Sequence, residues 1–122
     1  MEFKSINPYN NKEVGSYTAL SKEETTLKLN SAQNAFKTWS RLPLSKRASL
    51  IQKAGQVLRD NVEEYAKMIT MEMGKPISES KAEVNKCAWV CDYYAENAAA
   101  FLADETIATD TQQSFVRHDP LG

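Results

Sequence analysis

The chain holds few residues of the types that do chemistry, and their spacing assembles no complete set. Cys87 and Cys91 stand four apart. On a helix they share a face, with side chains starting roughly 5–6 Å apart. A disulfide wants Cβ atoms about 3.8 Å apart, so no bridge is expected. A metal site needs more ligands, and the only histidine, His118, falls on a different element. Both cysteines read as small core residues. Nucleophilic catalysis needs a base beside the nucleophile, whereas His118 reads as a surface strand residue. Glu79 and Glu83 have the spacing of an acid pair, but like charges in the first turns of a helix are more simply explained by its dipole. Gly15, Gly55, Gly74 and Gly122 are too scattered for a phosphate-binding loop, which needs close glycines at a strand-to-helix turn. Lys46, Arg47, Glu63 and Glu64 read as solvated helix faces.

The elements that carry these residues follow from local signals. The stretch Glu72-Met73-Gly74-Lys75-Pro76 ends a helix. Gly74 accepts the left-handed cap conformation, Lys75 meets the negative end of the dipole and Pro76 prevents continuation. Before it, Ser21 and Glu24 form a capping box, and Leu29, Ala32, Phe36 and Trp39 line one face of a helix over 22–38. Ser45 is expected to cap a second helix, 46–60, with Ala48, Ile51, Gly55 and Leu58 on one face. Asn61 closes that helix and, with Glu64, offers a capping box for a third, 62–73. Ser78 or a neighbour starts the longest, 78–103. Its seam of Val84, Ala88, Cys91, Ala95, Ala98 and Leu102 is mostly small, and Trp89, Val90, Tyr93, Tyr94 and Phe101 widen the apolar surface beyond it. A helix apolar on several sides wants partners on several sides, more than three short helices supply. Phe3–Ile6 with Glu13–Thr18, and Glu105–Thr109 with Ser114–Arg117, read as two short hairpins. The fold class is mainly α with two short β-hairpins, an α+β arrangement.

Composition narrows the class. The chain has 122 residues, 42% hydrophobic and 25% charged, values of one globular domain. A net charge of -1 advertises no nucleic acid partner. No run is apolar enough for a bilayer and the first residues carry no signal core, so no membrane partner and a cytoplasmic location are expected.

Several of these stretches resemble one family. Ile6-Asn7-Pro8 followed by Glu13-Val14 is similar to the N-terminal hairpin of aldehyde dehydrogenases. Trp39 and Arg47 match a spacing in that family, Glu72 to Pro76 with Glu83-Val84 match another segment, and Tyr93-Tyr94-Ala95 matches its long helix. Phe115 to Gly122 looks like the approach to the first cofactor-binding strand. Lys86-Cys87-Ala88 with Tyr93 to Asn97 looks most like the succinate-semialdehyde dehydrogenase branch.

The resemblance implies an N-terminal fragment of an enzyme several times longer, which oxidises an aldehyde through a cysteine thiohemiacetal and hydride transfer to NAD or NADP. Residues 1–103 would be the helical outer layer of the cofactor-binding domain in an α/β fold, and 104–122 a β arm used in oligomer assembly. The family's catalytic and cofactor-binding residues lie downstream, so none is carried onto this chain. Neither Cys87 nor Cys91 matches the nucleophile. The fragment is expected to be inactive, to hold no cofactor, and to find its partners in the rest of its own chain and in further copies. A monovalent cation site is implied at the carbonyls of Ser5 and Ile6 and the carboxylate of Glu72. Free carbonyls and a carboxylate suit a hard cation, although Glu72 also reads as a solvated helix residue. Lys86, Trp89 and Val90 would line the substrate entrance, with Lys86 attracting an anionic aldehyde; their plainer reading is one surface lysine and two packing residues. The alternative for the whole chain is a self-standing helical interaction module without catalysis.

Overall fold

The structure, a computed structural model, describes residues 1–121. The order is β1 (Glu2–Ile6), β2 (Glu13–Thr18), α1 (Lys22–Trp39), α2 (Leu44–Asp60), α3 (Val62–Met73), α4 (Ile77–Phe101), β3 (Glu105–Thr106) and β4 (Phe115–Val116). The chain is therefore mainly helical with two small antiparallel hairpins, β1–β2 and β3–β4.

The caps explain most boundaries, with three corrections. Ser21 forms its capping box with Glu24 on both sides, at 3.1 and 2.8 Å. Gly74 ends α3 at φ 71°, the left-handed conformation. Ser45 does not cap α2: the helix begins at Leu44, and Pro43 precedes it in an extended conformation without a side-chain bond. A proline already lacks the N–H that a first turn leaves orphaned, and Pro76 stands in the same place before α4, ahead of Ser78. The Asn61–Glu64 box does not form either. Asn61 Nδ2 instead donates 2.8 Å back to the Val57 carbonyl, so this side chain closes α2 rather than opening α3. The second hairpin keeps only two residues per strand, with Glu105 opposite Val116 and Thr106 opposite Phe115. The expected arm, 104–122, ends at Gly122, which lies outside the described residues.

The core is the crossing of α4 with α2 on one side and α3 on the other. The buried residues among those described are Gly55, Ala66, Ser80, Val84 and Ala88, and all lie on these three helices. Gly55 has a steric reason: a Cβ there would stand 3.0 Å from both the Ala88 carbonyl and Cys91 Cβ. Thr70 and Ser80 pair their hydroxyls at 3.0 Å where α3 meets α4. Arg59 of α2 pairs with Asp92 of α4, and Lys81 of α4 with Glu63 of α3 at 2.7 Å. Of the expected α4 seam, Val84 and Ala88 are buried, Cys91, Ala95 and Ala98 are half-buried, and Leu102 is exposed.

The rest of the chain is thinly packed. α1 has no buried residue, and only Phe36 is half-buried along it. Trp89 is 59% exposed and Phe101 52%. The accessible surface is 9808 Å², against roughly 6,600 Å² for a closed monomer of this mass. No helix among the described residues is long and apolar enough to cross a membrane.

Candidate functional site

The corner between α3 and α4 gathers the residues with functional potential. The left-handed turn at Gly74 frees the chain to reverse, and Pro76 starts α4 at once. Lys75, between them, does more than face the end of α3: its ammonium donates to Glu83 on α4. That hydrogen bond holds Lys75 above the usual lysine value, against a smaller opposing effect of desolvation. The ion pair ties the corner to the helix that follows.

Alongside it runs an open depression of about 580 Å³, lined by Lys75, Glu79, Ala82, Glu83, Lys86, Cys87 and Val90. Two of the three residues expected at a substrate entrance, Lys86 and Val90, meet here. Trp89 does not border it; its ring lies 6.0 Å from that of Tyr93 on the neighbouring face. The two lysines and two glutamates make the lining neutral. Since Glu83 is taken by Lys75, Lys86 is the lining cation outside an ion pair.

Glu79, Glu83, Lys86 and Val90 follow one another at spacings of four, three and four, so the stripe was legible on a helix, and only Lys86 and Val90 were drawn from it. Cys87 corrects a sequence expectation: it is exposed, while Cys91 is half-buried. Each sits on α4, but only the Cys91 face meets α2, at Gly55.

The first hairpin docks against the other side of the corner. Ser5 Oγ donates 2.9 Å to Glu72 Oε1, and a Cβ on Gly74 would stand 2.9 Å from Pro8 Cγ. Asn7 shapes the turn through its side chain, which accepts from the Tyr9 amide at 2.9 Å. Ser5 and Glu72 are thus brought together, with Ile6 next along β1 at an irregularity in the strand pairing. Among the described residues no three His, Cys, Asp or Glu side chains gather as metal ligands, so a cation here would depend on carbonyls around one carboxylate.

The comparisons with known proteins bear on this geometry. The aldehyde dehydrogenase family matches residues 1–122. A probable succinate-semialdehyde dehydrogenase [NADP(+)] of Synechocystis sp. is 42% identical over 122 residues, all of this chain and 27% of that protein. A succinate semialdehyde dehydrogenase [NAD(P)+], Sad, of Escherichia coli is 36% identical over 118 residues, 97% of this chain and 26% of that protein. The succinic semialdehyde dehydrogenase of Streptococcus pyogenes, solved with NADP+, superposes with a TM-score of 0.86 at 29% identity, covering 93% of this chain and 25% of its own. Gox0499 superposes at 0.95 over 99% of this chain and 27% of its own, and at 24% identity that is a likeness of fold. The chain thus spans about a quarter of the length of the curated relatives it matches. Along its whole length, in sequence and in fold, it belongs to the aldehyde dehydrogenase family.

Proposed function

We propose that this chain is the N-terminal part of an NAD(P)-dependent aldehyde dehydrogenase that oxidises an acidic aldehyde of the succinate-semialdehyde kind. The observation that carries the reading is the match, across all 122 residues, to a relative named for that substrate and for NADP. The excess of exposed surface supports it: α1 and the aromatic side of α4 have the character of faces meant to be covered. In this reading residues 1–103 are the helical layer of the cofactor-binding domain, 104–122 are an arm that joins further copies, and the protein is cytoplasmic.

The residues of this chain do not fit the dinucleotide itself. β2 leads into α1 without a glycine turn, and the first turn of α1 carries Glu23 and Glu24, which repel a phosphate. In this reading the cofactor and the catalytic cysteine belong to other parts of the protein, and the 122-residue chain alone is inactive. Its own contribution is positional. Lys86 and Val90 stand at the depression, where Lys86 draws in the carboxylate end of the aldehyde, while Trp89 packs on the neighbouring face with Tyr93. Ser5, Ile6 and Glu72 hold a monovalent cation that fixes the hairpin to the corner.

The test is aldehyde-dependent reduction of NADP or NAD by the full-length protein and by the 122-residue chain. Turnover of succinate semialdehyde by the first and none by the second is expected. Turnover by neither, or by the short chain, would overturn the reading. Lys86→Ala in the full-length protein should raise KM for succinate semialdehyde more than for a neutral aldehyde.

A further inference from the structure

Lys86 owes its freedom to a residue outside its own helix. The positions three and four away from it on α4 are Ala82, Glu83, Trp89 and Val90. Glu83 is therefore the one carboxylate that can reach it along the helix, and a glutamate three residues before a lysine is an ordinary partner for it. That partner is taken. The Lys75 ammonium donates to Glu83 from the turn between α3 and α4, and none of the ion pairs among the described residues includes Lys86. The other lysine of α4, Lys81, pairs with Glu63 of α3 at 2.7 Å. Arg47, read from the sequence as a solvated charge, is half-buried with its Nε enclosed by the chain itself. Lys86, by contrast, is exposed at an open depression.

Lys75 serves both acids of the depression. Its hydrogen bond to Glu83 holds it above the usual lysine value, and the charge of Glu79 adds to that effect. Glu79 and Glu83, four apart, otherwise repel each other and any anion that enters beside them. Lys75 thus cancels one of two negative charges in the lining and occupies the carboxylate that competes for Lys86. The backbone fixes its place: Gly74 turns the chain at φ 71° and Pro76 starts α4 at once.

We propose that Lys75 is a positioning residue that sets substrate specificity: by holding Glu83 it keeps Lys86 free, so that the depression takes the carboxylate end of an acidic aldehyde in preference to a neutral one. This rests on the proposed function, in which Lys86 meets that carboxylate. Lys75 acts on the substrate only through Glu83 and Lys86.

The test is the ratio of KM for succinate semialdehyde to KM for a neutral aldehyde, measured on variants of the full-length protein. Lys75→Met leaves Glu83 to pair with Lys86 and makes the lining negative, so the ratio should rise about threefold. Glu83→Gln breaks the same ion pair but leaves two free lysines, so the ratio should fall. The double variant keeps the lining neutral with Lys86 free and should return the ratio to its original value. Lys75→Arg keeps the pair and should leave the ratio in place. Each shift should shrink with added salt. If Lys75 only tied the corner to α4, the two single variants would act alike, because they break one pair, and would act on both aldehydes. That result would overturn the proposal, as would a ratio unmoved by Lys75→Met. Turnover of succinate semialdehyde without these shifts would remove the role of Lys75 and leave the proposed function standing. No turnover of succinate semialdehyde by the unmutated protein would remove both.

Discussion

Helices α1 and α4 carry equally plain sequence signals and end in opposite situations. α1 has its full capping box and a four-residue apolar stripe, yet it buries nothing. α4 has no side-chain cap, yet it holds the centre of the core with Ser80, Val84 and Ala88 buried. Caps decide where a helix starts, because they satisfy its own orphan amides. Burial is decided by whether a partner face exists, and α4 finds two such faces while α1 finds almost none. The molecule thus divides into a packed unit, α2 with α3 and α4, and a set of outlying elements.

That division is broken most severely at Gly55. Gly55→Val drives a branched side chain into the Ala88 carbonyl and Cys91. It should cost about 1–3 kcal/mol by overpacking, read as a lower urea midpoint. Ala32→Val on α1 should stay within about 0.5 kcal/mol, as surface changes do. Equal costs at the two sites would erase the distinction.

Gly74→Ala comes next. Its φ of 71° is strained for a side chain, at about 1–2 kcal/mol, and the added Cβ meets Pro8. The β1–β2 hairpin should lift from the corner, with loss of the Ser5–Glu72 hydrogen bond visible in the chemical shifts of β1. Unchanged shifts in β1 would mean that the hairpin is held elsewhere.

Ser21→Ala removes the cap of α1, worth about 1 kcal/mol. Because α1 leans on little else, far-ultraviolet helicity should fall while the unfolding midpoint of the α2–α4 unit stays in place. A shifted midpoint would show that α1 is part of the cooperative core.

The smallest effect is at the second hairpin. Arg117 donates to Asp104 at 2.7 and 3.1 Å, and this bond holds the Asp104 carboxyl below its usual value. A lowered folded value means the contribution is complete above the unfolded value, about 3.9, and is lost as pH falls through the lower folded one. Amide signals of Phe115 and Val116 should move in that range. The buried residues of the packed unit carry no ionisable group, so they should not follow directly.

Four helices, their order and the corner at Gly74 were legible in the sequence, because periodicity and caps are local. What escaped was set by neighbours. Asn61 turned back to Val57 because one side chain serves one helix end, and a sequence does not say which. Arg47 and Cys87 exchanged their expected environments, since the covered side of α2 and α4 depends on how they cross. Of the candidate site, Lys86 and Val90 were legible as one stripe, whereas Lys75 reaches Glu83 only because the turn brings them together.

Amide hydrogen exchange on the 122-residue chain, resolved by segment, tests the division most directly. Slow exchange is expected through α2, α3 and α4, near the Gly55–Ala88 crossing above all, with α1 and the β3–β4 hairpin exchanging close to unfolded rates. Protection of α1 equal to that of α4 in the isolated chain would contradict it.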